Sequence, residues 1–311
     1  MPNRRYRNSI LPLMILAASL MLASGCSVKR LAMNRVVGML SKGGDSRVFS
    51  GENDPELVRD AVPFTMKLYE MILERSPNRP ELLMATGKLF IMYAHLFVKE
   101  DAEYLTDEML EDKLKILSRA QHLYLRGQGY LLRAIELRHP GTIEKIECGR
   151  YDEALAVMGE EDVPYLYWCG AGWMGAFSAT GFDISLMPLR SKAIPLMEKV
   201  LALDEGFENG AIHEFFLSYY GALPASMGGS GEKARYHFEK ALCFSRGGRI
   251  APYVTLARTV CVQQQDGKEF GELLSFALEF DVDRFPDSRL VNIIAQRRAR
   301  WLLDHVEDFI I

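Results

Sequence analysis

The chain has 311 residues, 49% of them hydrophobic and 25% charged, with a formal net charge of −4. That is enough for one large or two small domains with a packed core. The mildly acidic balance argues against nucleic acid as a partner.

The first 25 residues read as an address. Arg4, Arg5 and Arg7 form a positive n-region, and residues 10–23 are an apolar run of signal-peptide length, too short to span a bilayer. Leu22-Ala23-Ser24-Gly25-Cys26 follows and resembles a bacterial lipobox, although leucine is commoner than Ala23 at its place. The resemblance implies cleavage before Cys26 and acylation of that cysteine. One acyl chain anchors only marginally, whereas several make the anchor effectively permanent. Residues 1–25 are thus expected to be a lipoprotein signal peptide, 26–50 a flexible lipid tether, and 51–311 a single all-helical domain. Within the tether, residues 28–40 suit a short helix near the bilayer. Three arginines and no acids leave with the leader, so 34 basic residues face 41 acidic ones, a net −7. Four cysteines remain, Cys148, Cys169, Cys243 and Cys261, without the CxxC spacing of a zinc site. An exported protein can pair them, but all four lie in apolar helical contexts, where buried free thiols are common.

Strand signals are scarce. Asp54-Pro55-Glu56 reads as a helix start, an N-cap followed by proline at the first helical position. Val58, Val62, Leu68, Tyr69, Ile72 and Leu73 carry its apolar face to Arg75. Residues 76–80 break the pattern, and a second helix runs from Pro80 to about Val98. This rhythm suggests helical-hairpin repeats. Leu83, Thr86, Gly87 and Phe90 fit the first-helix spacing of a tetratricopeptide loosely, as do Leu166, Cys169, Gly170 and Trp173. The second-helix spacing recurs at Ala193-Met197-Val200, Ala234-Phe238-Ala241 and Phe270-Leu274-Ala277. The expected fold is all-α: tetratricopeptide-like hairpins in a right-handed solenoid or bundle with inserted helices. Residues 99–120 exceed one hairpin turn and are expected to project as an insertion, as is the excess between Gly170 and Ala193. Residues 147–158 resemble a short hairpin edge around Gly149.

Residues 163–182 form a stretch without a charge, bracketed by Asp162 and Asp183. Tyr165, Tyr167, Trp168, Trp173 and Phe177 alternate there with small residues, four glycines among the uncharged twenty. Glycine inside a helix costs about 1 kcal/mol relative to alanine, which must be offset by close contacts or by room for something else. Two readings stand: a central helix packed on all sides, or a helix with part of one face lining an apolar cavity. A membrane span fits the length alone, but Pro164 and the glycines interrupt it. A second aromatic cluster, Phe215, Phe216, Tyr219 and Tyr220, precedes a turn around Pro224 and Gly228-Gly229-Ser230-Gly231. That loop lacks the preceding strand and the lysine of a phosphate-binding loop, so it reads as a hairpin turn. On the last helix, Arg297, Arg298 and Arg300 read as the solvated cap of a terminal repeat.

No catalytic or cofactor motif appears. His213-Glu214 is not followed by a second histidine at the metalloprotease spacing, because residue 217 is Leu. No GxSxG elbow occurs. His213 and His237 are expected near each other across one hairpin, as structural histidines. The expectation is therefore no enzyme, no metal and no cofactor apart from the lipid on Cys26.

Taken together, the lipobox, GENDPELVRDAVPFTMKLYE (51–70), YYGALPASMGGSGEKARYHFEKAL (219–242), YVTLARTVCVQQQDGKEFGELLSFALEFD (253–281) and RLVNIIAQRRARWLL (289–303) resemble the T component of tripartite ATP-independent periplasmic (TRAP) transporters. The resemblance spans nearly the whole chain and includes no catalytic segment. It implies a helical-repeat lipoprotein in the periplasm, a homotrimer, and association with the transporter's extracytoplasmic solute-binding protein. It also implies an apolar cleft for a hydrophobic ligand, perhaps one bearing a carboxylate. Tyr167, Trp168, Trp173, Phe177, Phe215, Phe216, Tyr219 and Tyr220 are the candidate lining. The alternative is a scaffold for envelope protein assembly with no small-molecule site, its aromatic rings serving as core.

Overall fold

A computed structural model describes residues 47–179 and 187–311. The leader, Cys26, most of the expected tether and residues 180–186 lie outside them. Among the described residues the secondary structure is helical throughout.

Helix α1 (Pro55–Arg75) begins as its sequence predicts: the Asp54 carboxylate accepts the N–H groups of Glu56 and Leu57 at 3.0 and 3.2 Å. Its inner face buries Val58, Val62, Met66, Tyr69 and Leu73, while Leu57, Phe64 and Met71, seven residues apart, stay exposed on the outer face. Pro77 and Pro80 end one helix and start the next. Helix α2 (Pro80–Glu103) is long and apolar enough to cross a membrane, but most of it is buried inside the fold. It carries a π-helical turn at Ala94–Val98.

Helix α3 (Leu110–Arg138) corrects one expectation. The charged segment before Ala120 is not a projecting insertion; it is the first part of a single 29-residue helix. Gly87 on α2 and Gly127 on α3 explain how the two long helices pair. A Cβ at either glycine would stand 2.7 Å from the other's carbonyl oxygen. The short helices α4 (Thr142–Glu147) and α5 (Tyr151–Leu155) form the expected hairpin edge. Gly149 turns between them with φ of +73°.

Helix α6 (Val163–Ser178) takes up the uncharged stretch. The buried Asp162 holds its start: one carboxylate oxygen accepts from Arg138 at 2.8 Å, and the other lies 2.9 Å from His139. Burial works against this charge, but the His139 and Arg138 contacts keep the carboxyl below its ordinary range. The glycines of α6 are contact points on different sides. Gly170 meets Met197, Gly172 meets Gln128 and Ile91, and Gly175 lies under the Tyr124 ring.

Helix α7 (Met187–Leu203) pairs with α6, and α8 (Phe207–Ala222) with α9 (Gly231–Phe244). The glycine loop makes the hairpin turn, with Ser230 capping α9. Helix α10 runs from Ala251–Leu256 through a second π-helical turn (Ala257–Cys261) to Val262–Gln264. Helices α11 (Gly267–Glu279) and α12 (Arg289–Asp304) complete the chain. The repeat positions are core. Ala193, Met197, Val200, Ala234, Ala241, Phe270, Leu274 and Ala277 are fully buried, with only Phe238 of the nine partly exposed.

The row of helix pairs closes on itself. Helices α2, α6, α8, α10 and α12 touch in succession, and α12 returns to α1. At the seam Arg298 Nε donates to Glu100 at 3.0 Å, Trp301 meets the Tyr104 ring edge-on at 5.7 Å, and Arg297 reaches Glu56 at 2.7 Å. The helical turn Arg47–Ser50 joins the closure, with Arg47 2.6 Å from Asp287.

Candidate functional site

A line of polar side chains runs along an otherwise apolar α2: Lys88, His95, Lys99 and Glu103. Their spacing of seven, four and four puts them on one helical face. Because the ring closes, this face looks across at α8, α10 and α12. Lys99 lies 3.1 Å from Glu103, which also pairs with Arg258 on the π turn of α10. Lys88 lies 2.7 Å from Glu208, and Arg249 Nε lies 3.0 Å from Glu214.

His95 shows that this face borders an enclosed space. Its side chain is exposed to solvent, yet burial pushes its pKa down to about 3, helped by the charges of Lys99, Arg298 and Arg249 against the opposing pull of Glu103. An imidazole on an open surface does not lose its charge by desolvation. Both properties hold together when the ring faces a recess that admits water and is walled by protein. Its neighbours behave alike. Burial opposes the charge of Glu103, but Lys99 and Arg258 hold it at about 2. Burial lowers Lys99, pulls Arg298 to about 10 and raises Glu214. The Tyr124 hydroxyl, pushed up by burial, lies 3.3 Å from His95 Nδ1.

Tyr167 and Trp168 stand beside this recess. Lys88 Nζ lies over the Trp168 ring at 5.1 Å, and the two aromatic rings meet edge-on at 5.2 Å. The Trp168 indole N–H is buried and has no hydrogen-bond partner among the described residues. Tyr167 donates to the Ala211 carbonyl at 3.5 Å and feels the charges of Glu208, Glu214 and Arg249. Glu208, Asn209 and Gly210 open α8 in left-handed conformation, with φ of 45°, 61° and 85°. That conformation is strained for the first two. It brings the Glu208 carboxylate to Lys88 and the Glu208 carbonyl within 3.4 Å of Arg249.

The other candidate aromatics sit elsewhere. Trp173 and Phe177 are buried on α6, at 3% and 0% exposure. Phe216, also buried, stacks on His237, as does Tyr220. Phe215 and Tyr219 stack on each other, and Arg190 of α7 donates to the Tyr219 hydroxyl. Among the described residues, no group of three or more histidine, cysteine and acidic side chains is placed to hold a metal ion.

The description "TRAP transporter T-component" matches residues 51–310. The chain belongs to the TRAP transporter T-component family. It is also 34% identical over 307 residues to an uncharacterized protein of Treponema pallidum (strain Nichols), covering 94% of this chain and 95% of that one. It is thus an accessory component of a TRAP transporter system.

In this T component the charged wall of the recess is what sequence reasoning missed. Arg298 is the clearest case. Expected as part of a solvated cap, it is held in the seam against Glu100, while Arg297 and Arg300 do face solvent. A signal was available: polar residues at one-face spacing on a helix as apolar as α2. The cysteine contexts also need correction. All four are free, but only Cys169 and Cys261 are buried; Cys148 and Cys243 are exposed.

Proposed function

We propose that this T component docks the extracytoplasmic solute-binding protein of its transporter and holds or passes a hydrophobic, carboxylate-bearing ligand through the enclosed recess. It does so as a periplasmic homotrimer anchored by lipid on Cys26, and it carries out no turnover. The observation behind the ligand role is the recess, in which an exposed His95 is nevertheless desolvated. Tyr167 and Trp168 supply its aromatic wall, and a concave, largely apolar site with a few polar groups suits a small molecule. The exposed stripe of Leu57, Phe64 and Met71 on α1 supports a protein contact.

A pull-down from native envelopes tests both roles. Recovery of a solute-binding protein together with an amphiphilic small molecule is the expected result. The burial of Trp173, Phe177 and Phe216 favours a second reading, an envelope-assembly scaffold whose aromatic rings are core. Recovery of other envelope proteins, with no small molecule, would establish that reading instead. Cys26→Ala should release the chain from the membrane fraction; retention there would remove the lipid anchor.

A further inference from the structure

The recess wall carries five cations (Lys88, Lys99, Arg249, Arg258 and Arg298) and four carboxylates (Glu100, Glu103, Glu208 and Glu214). Three of the carboxylates hold one cation each. Glu103 alone is shared, by Lys99 and Arg258, so one positive charge is left in excess at that end. His95, one turn before Lys99 on α2, is neutral and does not change the balance at ordinary pH. Enclosed charge without a counter-charge is unfavourable, and an ammonium partly stripped of water is a ready partner for an anion. About three helical turns away, roughly 16 Å along α2, Lys88 covers the Trp168 ring, whose N–H is unpaired.

We propose that the recess selects an amphiphile bearing one negative charge, its carboxylate seated at Lys99 between Glu103 and Arg258 and its apolar body lying toward Tyr167 and Trp168. This rests on reading the recess as a ligand site, and it adds the head-group position and the charge. A second carboxylate would have to enter the aromatic end, where every nearby cation already holds a glutamate. A neutral head would leave the excess charge uncompensated. Lys99 is the selecting residue because its removal leaves Glu103 held by Arg258.

The test compares dodecanoate, dodecanol and dodecanedioate, each titrated calorimetrically below its aggregation concentration into the full chain and into Lys99→Met. The wild type should bind dodecanoate about tenfold or more tighter than dodecanol or dodecanedioate, as expected for one charge-assisted contact. Lys99→Met should bind dodecanoate no better than dodecanol, with its dodecanol affinity unchanged. Equal binding of acid and alcohol by the wild type, or a preference that survives in Lys99→Met, would overturn the charge selection and leave the ligand site standing. Failure of all three probes would remove the ligand site itself. Should Lys99→Met fail to fold, the ratios measured on the wild type decide the matter.

Discussion

His213 and His237 meet Nδ1 to Nδ1 at 2.8 Å inside the α8–α9 hairpin. One nitrogen must donate and the other accept, so the contact exists only while at least one ring is neutral. Phe244 stacks on His213, and Phe216 and Tyr220 stack on His237, which keeps water away from the pair. Glu205 and Lys240 stand at the rim, with Glu205 3.3 Å from His213 Nε2 and 3.0 Å from Lys240.

Burial, followed by the charge of His213, pushes His237 down to about 4 from 6.5. Between those values the unfolded chain binds a proton that the folded chain refuses. Stability is therefore full above about pH 6.5 and falls as pH drops toward 4, by up to about 1.4 kcal/mol per pH unit for one such proton. His95 shifts in the same direction and adds to the slope. Melting temperatures of wild type and His237→Phe, recorded from about pH 7 to about pH 4.5, should converge at the acid end. Parallel curves would show that His237 does not titrate in this window.

Gly87 and Gly127 should tolerate no side chain. Each new Cβ would meet backbone at 2.7 Å, and backbone cannot swing aside as a flexible side chain does. Gly87→Ala is expected to cost about 1–3 kcal/mol as overpacking. Gly129→Ala, one turn of backbone away with open space around its Cβ, should be neutral or stabilising by up to about 1 kcal/mol. Chemical denaturation of both variants checks this; equal midpoints would mean that α2 and α3 can separate without cost.

How far the sequence could be read follows from the range of each interaction. Asp54 and Pro55 mark the start of α1 because capping is local. Ala234, Phe238 and Ala241 mark the buried face of α9 because helical periodicity is local too. The continuity of α3 was hidden because Gly127 and Gly129 looked like a boundary, although Gly127 serves a contact with a helix forty residues earlier. The recess was harder still. Glu100 meets Arg298, and Glu103 meets Arg258, only when the ring closes, and nothing near these residues in the chain says that it does. Tyr167 and Trp168 were found because their uncharged surroundings were conspicuous. The charges opposite them resembled ordinary surface residues.

The cysteines should divide by reactivity. Cys148 and Cys243 are exposed, whereas Cys169 and Cys261 are buried and pushed up to about 12, mainly by burial. A thiol reacts as its thiolate, so the buried pair lacks both access and charge. Brief alkylation of the native protein, mapped by peptide mass, should modify Cys148 and Cys243 alone, with Cys169 and Cys261 following only in denaturant. Early labelling of Cys169 would contradict the packing of α6 against α3.

The seam between Glu100 and Arg298 carries the closure, and it differs in kind from its neighbour. Arg297 and Glu56 form an exposed pair, so Arg297→Ala should change stability by less than about 1 kcal/mol. Glu100 is 5% exposed, and the Tyr104 hydroxyl also donates to it, so removing Arg298 leaves a carboxylate charged in a poor solvent. Arg298→Met is expected to cost about 3–5 kcal/mol. Replacing both partners, Glu100→Leu with Arg298→Met, should recover most of that loss, because desolvated charge and counter-charge leave together. Urea unfolding of the two single variants and the double variant measures the coupling. Strong coupling would make the seam the latch of the ring, whereas additive losses would mean that apolar packing around Trp301 closes it without the ion pair.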